Sequence, residues 1–438
     1  MASVTRVIVP SPLVQPVAPQ AKKRASGWLR RPVLLLAVVV AFCIPMARIV
    51  FGTETNNINV IICGLLLVFT VCGYTQRPPY FWLWILGGLM VPLGSLWSGV
   101  NSSVTSSLIV GALMGIMFIL LPGVITRMLA DTPHALRWVA GSFLVSQTIS
   151  GLAGLLQLAG ISVLGYGTVF GRAVGLAGHA NALGLMAGIG LAIAASVVMT
   201  RSSLLRTVLI FTMAVNGIAL VATGSLSAMM AVLLAALFVV LVSRKFFRLL
   251  IGGVLAAAVL IPIYLFAAGG EDVLFSSVMY RIGVVTGESG GGGAASLDIR
   301  EGTYTWALQW ISESPFVGVG MDPMNSTTFD GKTVVHNYLL RGWYQGGILV
   351  ALWLLLLTAT AVFSILLGSL RKKRAFWPAS VVLLILIFAS TAAFLNQAMY
   401  WLPLIFAIIV AARMLRADPG SGEPPTEAPS TASQSRKK

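Results

Sequence analysis

Long apolar runs separated by short polar stretches repeat along most of the chain. Runs close to the roughly 20 residues needed to cross a bilayer occur at about 33–51, 58–74, 80–98, 106–126, 138–160, 181–200, 206–222, 226–243, 249–268, 343–368, 376–395 and 398–413. The pattern predicts about twelve transmembrane helices. One long polar interruption, residues 269–336, separates helices 1–9 (32–268) from helices 10–12 (337–413). The flanks, 1–31 and 414–438, are rich in Pro, Ser, Ala and charge without apolar periodicity, and read as disordered tails. The expected fold class is therefore all-α: a polytopic membrane helical bundle with one large extracytoplasmic loop containing short helices.

Composition agrees with the pattern. The chain of 438 residues is 57% hydrophobic and 10% charged, whereas soluble domains carry about 25% charged residues. With the N-terminus inside, alternate loops place 23 of the 29 basic residues on the cytoplasmic side, leaving Arg48, Arg172, Arg281, Arg300, Lys332 and Arg341 outside. That distribution obeys the positive-inside rule and predicts two cytoplasmic termini. The net charge of +16 is thereby assigned to rims that meet anionic lipid, and no basic stripe with interleaved aromatics points to nucleic acid. No cleavable leader is expected, because the first apolar run follows about thirty polar residues. Cys43, Cys63 and Cys72 all fall in the first two spans and read as buried apolar side chains.

Ionisable side chains are nearly missing from the predicted spans, although pumps and ion-coupled transporters need them there. Chemistry is expected at the outer surface, where two segments stand out. Residues 165–181, Gly165-Tyr166-Gly167 through His179-Ala180-Asn181, hold five glycines and one permanent cation, Arg172. Glycine allows close backbone approach, and a guanidinium fork suits phosphate. Arg172 equally suits a loop anchor on a carbonyl. The second segment is the long loop. Its Gly287–Gly293 stretch reads as a flexible tether. A Trp-bearing helix is expected over about 301–313, ending at Ser314-Pro315, with Asp298 and Glu301 holding Arg300. The loop closes on His336-Asn337-Tyr338. On a helix starting there, Gly347 lies eleven residues along on nearly the histidine's face, which predicts close approach of another helix. Arg341, four residues after Asn337, shares a neighbouring face with it.

These segments in this order resemble the O-antigen ligase and O-antigen polymerase superfamily of bacterial membrane glycosyltransferases. Gly171-Arg172-Ala173-Val174-Gly175 to Asn181 is similar to the family's Arg-containing, Gly-rich segment ending in Asn. Arg300, Pro315 and Gly318-Val319-Gly320 resemble its loop block, and His336-Asn337 with Gly347 its His-Asn and His-x10-Gly signature. Two positions depart from the pattern. Thr223-Gly224-Ser225-Leu226-Ser227 stands where members often carry a Ser-Arg pair, and Tyr304 stands where Trp is usual.

The resemblance implies a glycosyltransferase of the bacterial cytoplasmic (inner) membrane. It would move a glycan from a polyprenyl diphosphate carrier to an acceptor hydroxyl on a glycan, lipid or protein, without metal, nucleotide sugar or other cofactor. His336 and Arg300 would be catalytic, the histidine as base and the arginine holding the diphosphate. Arg172, Arg281, Arg341, Asn337 and Lys332 would bind diphosphate or glycan. Polysaccharide-assembly partners and membrane lipids are the expected surroundings. The competing class is transport by a lipid-linked oligosaccharide flippase or polysaccharide exporter. A flippase needs cations along an internal cavity, which the spans do not supply.

Overall fold

A computed structural model describes residues 28–51, 55–198, 203–242, 294–322, 327–372, 375–392, 395 and 397–417. The expected span at 249–268, the glycine tether 287–293, Arg281 and most of both expected tails lie outside these residues.

Among the described residues the fold is helical, apart from isolated bridges in two loops. The helices are α1 Arg30–Cys43, α2 Ala47–Phe51, α3 Thr55–Val71, α4 Phe81–Ser98, α5 Val104–Asp131, α6 Ala135–Leu158, α7 Ala180–Val198, α8 Ser203–Ala222 and α9 Leu226–Val242. They continue with α10 Ala294–Glu313, α11 Tyr338–Ala359, α12 Leu367–Lys372, α13 Phe376–Ala389 and α14 Ala398–Arg416, with a π-helical segment Thr360–Leu366 joining α11 to α12. Seven of the described helical segments are long and apolar enough to cross a membrane, and Asn59–Val71, Leu226–Val242 and Phe376–Ala389 are shorter apolar helices. The chain is thus a multi-pass membrane protein. The run at 33–51 is not one helix: Pro45, in the 3-10 turn Ile44–Met46, separates α1 from α2.

Small residues set the spacing of the bundle. Gly88 lies under Ile119 of α5, and a side chain at Gly115 would meet the Gly88 carbonyl at 3.0 Å. Without a hydrophobic force between lipid-bathed helices, such close approach supplies the packing. An aromatic cluster of Phe118, Trp353 and Trp401 fills the centre, its ring centroids 4.3–5.8 Å apart.

The expected straight helix after His336 is a hairpin. At Gly347 the backbone turns to φ 69°, ψ −169°, a region essentially closed to other residues. The arm Tyr338–Gly346 then folds back along the arm that starts at Ile348. The Tyr338 hydroxyl hydrogen-bonds the Thr358 hydroxyl, 20 residues away, where an unbroken helix would set them roughly 30 Å apart. Gly342 faces Leu354 and Val350 across the arms, and Gly94 of α4 lets the Gly346 carbonyl approach. Close helix approach is thus real, but Gly342 provides it and Gly347 provides the reversal.

The loop segment Phe316–Gly320 closes the bend. Val319 and Gly320 donate backbone N–H to the carbonyls of Tyr344 (2.8 Å) and Gln345 (3.0 Å), and Ile348 donates to Phe316 O (3.3 Å). Gly318 donates to Ser98 Oγ and accepts from Asn101 Nδ2, both at 2.9 Å, fixing the loop to the end of α4. Replacing Gly347 with Ala places a Cβ against the Phe316 carbonyl and adds about 1–3 kcal/mol of backbone strain. We expect a clear drop in the unfolding temperature of detergent-solubilised Gly347→Ala. Gly217→Ala, at a helical site with open space, is expected to match the unaltered protein.

Candidate active site

The hairpin sets His336 at the foot of its first arm, about 12 Å along the helix from the bend at 1.5 Å per residue. Asn337 caps that arm: its Oδ1 accepts from Leu339 N (3.1 Å) and Leu340 N (3.0 Å). The short hairpin before it, bridged between Thr327 and Val334, is held by Asp330, whose Oδ1 accepts from Lys332 N (3.0 Å) and Thr333 N (2.7 Å). The Thr333 hydroxyl, which donates to Asp330 Oδ2, and then these backbone bonds hold the Asp330 carboxyl well below the usual range, at about 2. His336 is half-buried, and its Nδ1 is buried without a hydrogen-bond partner. Burial, followed by the positive field of Arg300, pushes the imidazole down to about 4. Arg341 and His179 add to the field and the backbone of Val334 opposes it. The ring is therefore neutral at pH 7.

α10 carries Arg300 to the same place. It starts at Ala294, earlier than the expected 301, and lies against the first arm of α11 through Ala307, Ile311, Val335 and Tyr344. The Tyr304 hydroxyl donates to the His336 carbonyl at 3.2 Å, and Trp306 Nε1 donates to the Tyr344 hydroxyl at 3.2 Å. Burial pushes the Tyr304 phenol up, so it stays a donor. Asp298 and Glu301 do not hold Arg300: among the described residues the one side-chain ion pair is Arg127–Asp131. Residues two or one apart on a helix do not face each other.

The Gly-rich segment is folded into two tight hairpins, with bridges Val163–Tyr166 and Val169–Arg172. Their tips, Leu164-Gly165 and Phe170-Gly171, all have positive φ, as two-residue hairpins require. Arg172 closes the second. Its Nε donates to the Thr223 carbonyl at 2.6 Å and its NH2 to Asn181 Oδ1 at 2.8 Å. The guanidinium thus sits at the very turn where the resembling family often carries its Ser-Arg pair. Beneath it, buried Gln157 accepts from Val174 N (3.1 Å) and Gly175 N (2.8 Å) and donates to the carbonyls of Tyr166 and Gly175.

Arg300, Arg341 and His336 are thus brought together, and His179, which was not among the expected site residues, joins them through its field at His336. The signal was present: His179 belongs to the same Gly-rich segment as Arg172. Lys332 is exposed on the Asp330 hairpin, and Asn337 spends its carbonyl oxygen on the helix cap. No three His, Cys, Asp or Glu side chains gather among the described residues.

The family model described as O-antigen ligase matches residues 208–355, from α8 through the second arm of α11. Over that stretch the chain is similar to the O-antigen ligase family. The matched stretch holds Arg300, His336 and the reversal at Gly347, while Arg172 and His179 lie outside it, in the segment between α6 and α7. No curated protein matches the chain.

Gln157 offers a test of the support that the Gly-rich segment gives the matched stretch. Gln157→Leu strands the buried N–H groups of Val174 and Gly175, each costing about 1–3 kcal/mol. We expect the Gly-rich segment to become open to limited proteolysis before the bundle unfolds.

Proposed function

We propose that this chain transfers a glycan from a polyprenyl diphosphate carrier to an acceptor hydroxyl, in cell-surface polysaccharide assembly at the extracytoplasmic face of the cytoplasmic membrane. The observation that carries the reading is the desolvated, neutral imidazole of His336, its Nδ1 orphaned, set in the field of Arg300 within the stretch similar to the O-antigen ligase family.

In this reaction the acceptor oxygen bonds to the anomeric carbon of the donor sugar as the bond from that carbon to the phosphate oxygen breaks. His336 takes the hydroxyl proton. The electron pair leaves with the lipid diphosphate, whose charge Arg300 meets as a preorganised electrophile. Arg172, clamped between Thr223 and Asn181, supports the diphosphate from the Gly-rich side. Arg281 and Lys332 complete the proposed contacts, with Asn337 orienting the histidine through its cap. No metal or cofactor enters the scheme. The acceptor is a glycan, a lipid or a protein. A flippase is less well supported: Arg341 is the one charged side chain buried among the described residues, whereas a diphosphate path across the bilayer calls for several.

Proteoliposomes given polyprenyl diphosphate-linked oligosaccharide are expected to yield larger glycans and free polyprenyl diphosphate. His336→Ala is expected to lower the rate about 10²–10⁴-fold and Arg300→Ala about 10²–10³-fold. Carrier movement without a new glycosidic bond would establish the transporter instead.

The pH profile adds a separate test. The base is the neutral ring, and its pKa is pushed down to about 4. The rate is expected to hold as pH falls from 7 to 5 and to decline only near 4. An acid limb at about 6.5, the ordinary histidine value, would mean that His336 is solvated or is not the base.

A further inference from the structure

α1 and α3 are consecutive α-helical spans but hardly touch: α1 packs along α6, and α3 along α5. Between them lies a cavity of about 160 Å³, whose wall is shared by α1, α3, α5, α6, α7, α13 and α14. Every residue of that wall is apolar. Protein interiors are otherwise close-packed, and an apolar cavity of roughly 150 Å³ stays dry and takes a hydrocarbon guest. Leu36, Ala37 and Val40 of α1 and Ile62 and Leu65 of α3 belong to the wall and are only half-buried. The cavity is therefore reached from the side, between two helices that face lipid.

This cavity belongs to the end of the bundle away from His336. Near the start of α5 the Ser107 hydroxyl accepts from Met321 N, in the loop that leads to the candidate active site, at 2.9 Å. The α5 part of the wall, Leu121 to Met128, begins roughly 20 Å further along at 1.5 Å per residue. At the far rim Thr132 caps α5, and its hydroxyl accepts from Arg30 Nε at 3.1 Å. Arg30 stands on the face of α1 that gives Val33, Ala37, Ala41 and Ile44 to the wall. Arg137 follows Leu136, a wall residue of α6, and both arginines are exposed. The acid beside them, Asp131, is paired with Arg127 at 2.8 Å. A hydrocarbon slot that ends at a cationic rim has the outline of an anionic lipid.

We infer that an anionic phospholipid, from the leaflet opposite the candidate active site, lodges one acyl chain in this cavity with its phosphate against Arg30 and Arg137. Basic rims between transmembrane helices suit such head groups. The chain supplies the packing that α1 and α3 do not give each other. A polyprenyl diphosphate fits less well, because the proposed reaction puts its diphosphate at the His336 end. The inference is independent of that reaction and stands whether or not the chain transfers a glycan.

The test uses the full chain in mild detergent, with phosphatidylglycerol and phosphatidylcholine competing and retained lipid read by native mass spectrometry. The unaltered chain is expected to retain phosphatidylglycerol about tenfold better, the gain of a charge-assisted contact. Arg30→Gln combined with Arg137→Gln is expected to remove that preference without releasing lipid altogether. Ala37→Phe places a ring in the cavity and is expected to release both lipids, with an unfolding temperature in lipid-free detergent equal to or above that of the unaltered chain. Ala140→Leu, a milder filling from α6, repeats the test if the larger side chain prevents folding.

Phosphatidylglycerol held as firmly by a folded filling variant as by the unaltered chain overturns the cavity as its site. Equal retention of the two lipids by the unaltered chain, or a preference that survives loss of both arginines, overturns the assignment of the head group. Farnesyl diphosphate that displaces phosphatidylglycerol at equal concentration makes the cavity a carrier site and overturns the phospholipid.

Discussion

The reversal of the chain at Gly347 is the constraint on which the rest of the site depends. A helix that continued upward from Tyr338 would leave His336 at its lower end with nothing beside it. Turning back at Gly347 lays the first arm against the second, so Gly342 meets Leu354 and the Tyr338 hydroxyl meets Thr358. The loop Phe316–Gly320 then adds its backbone hydrogen bonds to the open carbonyls of the bend. Those carbonyls would otherwise be unpaired, which is expensive wherever water is scarce. The same loop continues from α10, so fixing the bend also fixes the helix that presents Arg300.

Three structural units therefore converge on the histidine by different means. α10 comes through a packed apolar face and the Tyr304 hydroxyl on the His336 carbonyl. The Asp330 hairpin comes through the chain itself, a few residues before His336. The Gly-rich segment comes through Gln157 and Arg172, which tie it to α6, α7 and the turn after α8. The positive character of the site follows from this convergence, because the acidic neighbours in the loop, Asp298, Glu301 and Asp330, form no ion pair with its arginines among the described residues.

Most of the bundle was legible in the sequence because crossing a bilayer leaves a simple mark, an apolar run of fixed length. The order of the chemical segments was legible too, since glycine, arginine and histidine are conspicuous in so apolar a chain. The hairpin was not. A run of helix-forming apolar residues looks the same whether it continues or doubles back, and the span expected at 343–368 begins inside the first arm and ends in α12, past the π-helical segment. Gly346-Gly347 was the available hint, but a glycine pair inside a helical run has several meanings. The ion pairs expected around Arg300 failed for a geometric reason, since nearness in sequence is not nearness on a helix.

The bond between Arg172 and the Thr223 carbonyl has a bearing on how such proteins are compared. Its acceptor is main chain, which every residue type possesses, so the contact asks for a backbone path at Thr223 rather than for a particular side chain. The side chain the contact requires is Arg172, fifty-one positions away. A cation supplied from a distant loop and a cation encoded at the turn itself would be interchangeable solutions, and aligned sequences would show them as a loss in one place unconnected with a gain in another.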